Sequence, residues 1–267
     1  WSPSEGLSNP LIANPVAHPT HTTTYIVAVQ NATGCESRDT ITVTVQPLKL
    51  DVSVLLEGAY NGGGTMTSML ASTGYLPGSQ PYNTAPFNYA GTESISVIPG
   101  SAVDWVLLEL RSTTAASSVV TRRAALLRNN GKIVDLDGIS PVSIPAGTVL
   151  PSSFYIVIYH RNHLAVMSAL QVQAQGSCTA AYNFTTAQTQ AYTTFSQPMK
   201  DLGAGVYGML AGEVVTDGII NAWDRVTVRN NTGALGYLNA DVTLNSLVSA
   251  EDRILTYNNK FKISEVP

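Results

Sequence analysis

Two stretches of this 267-residue chain space their oxygen-bearing side chains as a calcium loop does. The first places Glu213, Val215, Asp217, Gly218, Ile219, Asn221 and Asp224 at loop positions 1, 3, 5, 6, 7, 9 and 12. The second places Asp241, Thr243, Asn245, Ser246, Leu247, Ser249 and Asp252 at the same positions. Such a loop surrounds one hard cation with side-chain oxygens, the carbonyl of its seventh residue and a closing carboxylate, and uses glycine at the sharp turn. In loop one Val215 cannot ligate, and Glu213 is longer than the usual Asp. Loop two offers oxygen at every ligand position, but Ser246 stands at the turn and only Asp241 and Asp252 bring charge. So few charges put any calcium affinity at the weak end. A loop that keeps its shape without the ion is the competing reading. If calcium binds, loop two is expected to hold it through Asp241, Asn245, Asp252 and the Leu247 carbonyl.

The two loops belong to an internal repeat. GEVVTDGIINAWDRVTVRNN begins at Gly212 and ADVTLNSLVSAEDRILTYNN at Ala240, with a constant offset of 28 residues between Val214/Val242, Ala222/Ala250 and Asp224/Asp252. A short amphipathic run follows each loop. The pattern predicts two loop–helix units packed face to face, with Trp223, Val226, Val228, Ile254 and Leu255 filling a small core.

Other chemistry is sparse. His160 and His163 in the string Tyr159–His163 invite a zinc or general-base reading, but positions three apart on a strand point to opposite faces. No third His or Cys lies nearby in sequence. The simpler expectation is a set of strand-end polar groups bonded to neighbouring loops, with Asp104 or Asp135 as partners. Asp104, Glu109, Asp135 and Asp137 suit turn or structural roles better than a carboxylate pair, since nothing fixes a cleft or a separation. His18 and His21 sit in a proline-rich loop with no further ligand. No nucleophile elbow, phosphate loop or His-Glu-x-x-His string occurs. The chain therefore reads as non-catalytic.

The elements that would carry the repeat are β-strands. Charged residues make up only 12% of the chain and apolar residues 44%, which suits secreted β-rich modules and argues against disorder. A net charge of −4 leaves no footprint for nucleic acid. No apolar run approaches the ~20 residues of a membrane span. Thr24–Val29 and Thr40–Val45 alternate as two strands about a loop at Asn31–Asp39, exposing apolar faces of Tyr25, Val27 and Val29 and of Ile41, Val43 and Val45. Such faces need a covering sheet. Further strands are expected at Leu48–Glu57, Ser94–Ile98, Val103–Arg111, Ser118–Arg128, Lys132–Asp135, Phe154–Ala169 and Val206–Leu210. Asn129-Asn130-Gly131 marks a hairpin. Met66–Pro86 reads as a long polar loop, and Gly176, Ser177 and the run to Gln190 as loop. Cys35 and Cys178 form no framework; they pair with each other, lie buried, or bond outside this stretch.

Three resemblances follow from these motifs. WSPSEGLSNPLIANPVAHPTHTTTYIVAV with TITVTV resembles the C-terminal half of a PKD-like, immunoglobulin-like repeat of bacterial surface adhesins. VDWVLLELR, TRRAALLRNNGKIVDLDG and FYIVIYHRNHLAVMSA, followed by MKDLGAGVYGMLAG, resemble a domain of large secreted bacterial surface proteins. The duplicated loops resemble a dockerin-like calcium repeat. The resemblances imply a mainly β fold of Ig-like β-sandwich modules followed by a small dockerin-like loop–helix pair. The divisions would be a partial PKD-like domain at 1–47, a sandwich at 48–173, and a β-segment with the repeat at 174–267. They imply an exported, extracellular or cell-surface segment with a structural or adhesive role, and a fibre or filament subunit is one form of it. Its partners would be further copies of itself, neighbouring domains of the same protein, or a surface glycan or protein receptor. Two alternatives stand beside it. A glycan-binding module would display exposed aromatics, for which Tyr75, Tyr82, Phe87 and Tyr89 are the clustered candidates. A docking module would show matched exposed residues on both repeat helices, as at Arg225/Arg253 and Val226/Ile254.

Overall fold

A computed structural model describes residues 1–175 and 178–267. The expectation of loop at Gly176 and Ser177 lies outside the described residues. The chain is mainly β and ends in a loop–helix pair. It divides into two compact units: Trp1–Leu48 with Ser143–Val149, and Lys49–Val142 with Leu150–Pro267.

In the first unit, β1 (Thr23–Gln30) and β2 (Glu36–Val43) form an antiparallel ribbon in which Tyr25 opposes Ile41 and Val27 opposes Asp39. The turn is tighter than the sequence suggests, because Glu36–Asp39 joins the second strand. Tyr25 is the ribbon's buried anchor, and its hydroxyl donates to the Glu5 carbonyl at 2.8 Å. Val29 is 62% exposed and Ile41 54%. The expected apolar faces are therefore largely open within this unit.

The second unit is organised on β6 (Ala102–Arg111), all ten residues of which are buried. An uninterrupted apolar run of this kind is what a strand covered on both faces requires. β7 (Val119–Arg128) pairs along one edge of β6 and β10 (Tyr155–Tyr159) along the other, both antiparallel. The sheet continues through β11 (Val166–Met167) beside β10 on one side. On the other side it runs through β8 (Lys132–Val134), β3 (Leu48–Ser53) and β12 (Thr179–Asn183), with β9 (Val142–Ile144) also pairing with β3. Smaller ribbons are β4 (Tyr60–Gly62) with β5 (Thr65–Met66), and β13 (Lys200–Gly203) with β14 (Val206–Gly208).

Several expectations are corrected. The run Phe154–Ala169 is two antiparallel strands, because His160–Ala165 leaves the sheet to make other bonds. Ser94–Ile98 contributes only an isolated bridge from Ser94 to Ser79. The sheet is not wholly antiparallel, since β12 lies parallel to β3. β12 also carries the sheet past residue 173, where a domain boundary was expected. The polar stretch 66–86 holds a short helix, α1 (Met69–Ser72), and inserts Leu70, Leu76 and Tyr82 into the core. Tyr82 donates to the Trp105 carbonyl at 2.7 Å, and the Trp105 indole donates to Pro77 at 2.8 Å. Cys35 and Cys178 are both exposed free thiols, so neither is a buried one.

The repeat folds as two loop–helix units, with helices α2 (Ala222–Asn230) and α3 (Ala250–Asn258) in contact. Both begin with a capping box, Asn221 with Asp224 and Ser249 with Asp252, which satisfies the orphan amides of the first turn. Its core differs from the expected one. Val228 is buried with Val214, Val242, Val248, Ala211 and Ala240, and Leu255 packs against them. Trp223 is 71% exposed, Ile254 57% and Val226 36%. The small β-branched residues of the loops, rather than the larger helix residues, fill the space between the units.

The duplication extends past the point where the sequences stop resembling each other. Val248 N–H donates to the Ala234 carbonyl at 2.9 Å and Gly236 N–H to Ser246 at 3.0 Å. Exactly 28 residues on or back, Ile220 N–H donates to Lys262 at 2.9 Å and Ser264 N–H to Gly218 at 2.8 Å. Each loop is thus bonded to the segment that follows the other unit's helix. The backbone repeats too: Gly218 and Ser246 have φ of 88° and 72°, and Gly233 and Phe261 have φ of 91° and 67°. Ser246 and Phe261 therefore occupy a left-handed conformation that their glycine counterparts adopt without strain.

Gly58 is where the second loop meets the sheet body. A Cβ there would stand 1.7 Å from the Val242 carbonyl oxygen, which is backbone and cannot yield as a flexible side chain would. Gly58→Ala is expected to destabilise the chain by about 2–3 kcal/mol through overpacking, measured by urea unfolding. A loss within about 0.5 kcal/mol, the range of neutral surface changes, would show that the second loop is not held against the body.

Candidate functional site

The residues that resembled a catalytic string form a buried polar centre. Asp104 is fully buried and accepts four hydrogen bonds: from Trp105 N–H at 2.7 Å, Tyr237 Oη at 2.6 Å, Arg161 Nε at 2.8 Å and His160 Nε2 at 3.2 Å. Asp104 is one of the two partners expected for that string; the other, Asp135, pairs instead with Arg123 at 2.9 Å. Arg161 stacks on the Tyr237 ring at 4.1 Å and donates to the Leu238 carbonyl at 2.5 Å. Asn162 donates to the Asn239 and Asp241 carbonyls at 3.0 and 2.7 Å. The strand end of β10 thereby grips the linker between the two repeat units.

His160 and His163 are held neutral. Gly58 N–H donates to His163 Nε2 at 3.2 Å, so His163 carries its proton on Nδ1, facing Asn162 Oδ1 at 2.8 Å and His160 Nδ1 at 3.1 Å. His160 then donates from Nε2 to Asp104. Burial pushes both imidazoles below their ordinary value, and for His163 the neighbouring His160 and Arg161 add to it. For Asp104 burial acts upward, but Arg161, His160 and Tyr237 outweigh it and hold the carboxyl well below the usual range. Glu109 is engaged in the same way, by Arg111 at 2.6 Å and by Arg122. Asp137 bonds the amides of Ile139 and Ser140, each at 2.9 Å, as a turn residue does. None of the four carboxylates singled out in the sequence faces another across a cleft.

Loop one brings three of its expected ligands together: Glu213, Asp217 and Asp224 place carboxylate oxygens within 4.8 Å of one another. Most of those oxygens already have donors. Asp224 accepts from Val214, Val215 and Asn221 N–H at 2.7, 3.0 and 2.8 Å. The Asn221 amide group donates to Asp217 Oδ2 and to the Ile219 carbonyl, both at 3.1 Å, and Ile219 N–H bonds Asp217 Oδ1 at 3.1 Å. Glu213 Oε1 accepts from Gly218 N–H at 3.0 Å, while Glu213 Oε2 is buried without a partner. Burial, with the nearby Asp224 and Asp217 charges, pushes the Glu213 carboxyl up to about 7. In loop two, Asp241 accepts from Thr243 Oγ1, Asn245 N–H and Ser246 N–H at 3.2, 3.1 and 2.8 Å. Asp252 accepts from Thr243 and Ser249, and Asn245 Oδ1 from Leu247 N–H at 3.0 Å. Calcium takes roughly six to eight oxygens. As arranged, neither loop offers such a shell, because hydrogen bonds hold the positions an ion would organise. The residues do not fit a calcium ion.

The α2–α3 pair presents a groove of about 660 Å³ on its outer side. Repeat-related residues line its two walls: Ala222 with Ala250, Arg225 with Arg253, Val226 with Ile254, and Arg229 with Tyr257. Arg225 crosses the groove to stack on Tyr257 at 5.1 Å. The aromatic candidates for glycan binding do not form an exposed row. Tyr82 is fully buried, Phe87 packs edge-on between Tyr82 and Tyr159, and Tyr89 bonds Glu93 at 2.6 Å.

No protein-family model matches the chain, and no curated protein matches it. Among solved structures, the chain is similar to an N-terminal interface mutant of a type II cohesin–X–dockerin complex from Acetivibrio cellulolyticus. The identity is 17%, the TM-score 0.36, and the match covers 60% of this chain and 82% of that one. A likeness at that level carries no weight for function.

Two outcomes are expected. Asp104→Asn leaves Arg161 buried without a counter-charge and costs about 3–5 kcal/mol, read by denaturant unfolding at pH 7. The folded carboxyl titrates below the unfolded value of about 3.9. Its contribution is therefore whole above that pH and is lost only as pH falls further toward the folded value. A wild-type advantage that fades between pH 8 and 6 would contradict the assignment. Excess chelator is expected to leave the melting temperature unchanged. A rise of several degrees on adding millimolar calcium would show that the loops rearrange around an ion.

Proposed function

We propose that this chain is a non-catalytic segment of an exported bacterial surface protein, whose β body presents the α2–α3 groove to a protein partner. The observation that carries the reading is the matched, exposed lining of that groove. Arg225/Arg253 and Val226/Ile254 recur at the same place on two helices, and packing does not account for them because they lie outside the repeat core. Arginine and aromatic side chains are the residues that anchor protein interfaces. Arg225, Arg229 and Arg253 make the groove basic on a chain of net charge −4. A partner surface with carboxylates around an apolar centre complements it. The low charge and the sequence resemblances support export. The engagement of Asp104 and Glu109 in buried ion pairs supports a non-catalytic role.

A second contact is favoured by the β1–β2 ribbon, whose exposed Val29 and Ile41 form an apolar face. Another sheet, from a neighbouring domain or a second copy of the chain, would cover it.

The groove is tested with Arg225→Glu and Arg253→Glu, singly and together, against the exported proteins of the source organism. The residues are exposed, so the fold should be unaffected, as checked by circular dichroism. A specific partner retained by the wild type is expected to bind at least tenfold more weakly to the double variant. Equal retention of the same partner by the double variant would overturn the docking reading.

A further inference from the structure

Behind loop one lies a cavity of about 620 Å³, within the range of roughly 300–1,000 Å³ typical of small-molecule sites. Phe87, Leu107, Leu164 and Val266 give it apolar walls, and Glu213 stands on its lining. Glu213 is 4% exposed, and its Oε2 has no hydrogen-bond partner. A buried carboxylate oxygen without a donor is costly, and native structures rarely keep one without a reason. The neighbouring carboxylates deepen the need for positive charge. Asp217 and Asp224 lie within 4.8 Å, and the donors to all three carboxylates are neutral amides.

We infer that this cavity is a binding site for a small organic amine, its ammonium on Glu213 Oε2 and its apolar body against Phe87, Leu107 and Leu164. An ammonium brings three donors and needs only a few acceptors. Glu213 Oε2 supplies one, and the Thr216 and Ser264 hydroxyls line the same cavity. A divalent cation is a poorer occupant, because the other carboxylate oxygens of the cluster already accept hydrogen bonds. An anionic ligand is disfavoured at this end for lack of any cation in the cluster. Arg111 and Arg122 line the cavity too, but both are paired with Glu109. His160 and His163 also face it and stay neutral down to below their ordinary value. Tyr159 is pushed up by burial and stays protonated. Glu213, at about 7, is the lining group whose charge changes near neutrality.

The test is calorimetric titration of the intact chain with phenethylamine at pH 8, alongside its neutral isostere 2-phenylethanol and calcium chloride. Saturable one-to-one binding of the amine is expected, weakened at least tenfold in Glu213→Gln, whose amide keeps the bond from Gly218 but repels an ammonium. In the wild type the affinity should fall as pH drops through 7, by roughly thirtyfold at pH 5.5, because the amine itself stays charged over that range. That pH profile decides the matter even if Glu213→Gln fails to fold. Equal binding of 2-phenylethanol, a flat pH profile, or calcium binding that Glu213→Gln abolishes while the amine shows none, would each overturn the inference. None of these outcomes depends on the α2–α3 groove.

Discussion

The Asp104–Arg161 pair is the constraint on which the arrangement of the second unit depends. Both groups are buried, and neither can remain so without the other. Asp104 is fixed by the central strand β6, so Arg161 must reach it from the end of β10. That reach takes residues 160–163 out of the sheet and turns their polar groups toward the repeat. Tyr237 completes the acceptor set of Asp104, and Leu238, Asn239 and Asp241 supply carbonyls to Arg161 and Asn162. A single ion pair thereby sets where the linker between the two helices lies. A second anchor acts from the other side. Glu57 accepts from Ala211 N–H at 3.0 Å and from Asn259 Nδ2 at 2.5 Å, and pairs with Lys200 at 2.8 Å.

Between these anchors the repeat resembles a metal-organised fold that has replaced its metal. Asp224 and Asp252 stand at the position of the closing carboxylate, yet each is turned to its own loop and helix cap. The Asn221 amide projects between Asp217 and the Ile219 carbonyl as a weakly positive substitute for a cation. The reciprocal bonds between each loop and the other unit's return segment add a scaffold that needs no ion. Loop two closes its set completely, whereas loop one leaves Glu213 Oε2 unpaired. That asymmetry between two otherwise superposable units distinguishes the cavity side of the repeat from its groove side.

The two faces differ in kind. The groove is open, basic and duplicated, with large side chains left in solvent. The cavity is enclosed, borders the β body, and involves only the first unit. Loop one belongs to both, since Asp224 caps α2 and also raises the Glu213 carboxyl.

The sequence alone determined the elements with a strong local signal. Ala102–Arg111 reads as a buried strand because its apolar run is unbroken, and Asn129-Asn130-Gly131 marks the turn after β7. The duplication at an offset of 28 residues fixes two loop–helix units, because loop spacing and caps are properties of adjacent residues. What depended on distant residues was decided only in three dimensions. The helix residues expected in the core, Trp223, Val226 and Ile254, are exposed, since the amphipathic pattern does not say which face meets the body. The return segments at Leu235 and Ile263 repeat in hydrogen bonding without repeating in sequence, because backbone bonds place little demand on side chains. The parallel β12 and the buried Tyr82 came from stretches whose composition read as loop. Loop two has every oxygen an ion needs, and only the tertiary structure shows those oxygens turned to amides instead. Glu213 looked like the lesser ligand by its length. Its unpaired oxygen arises from the β body and residues 264–267 closing around it, contacts that no local pattern encodes.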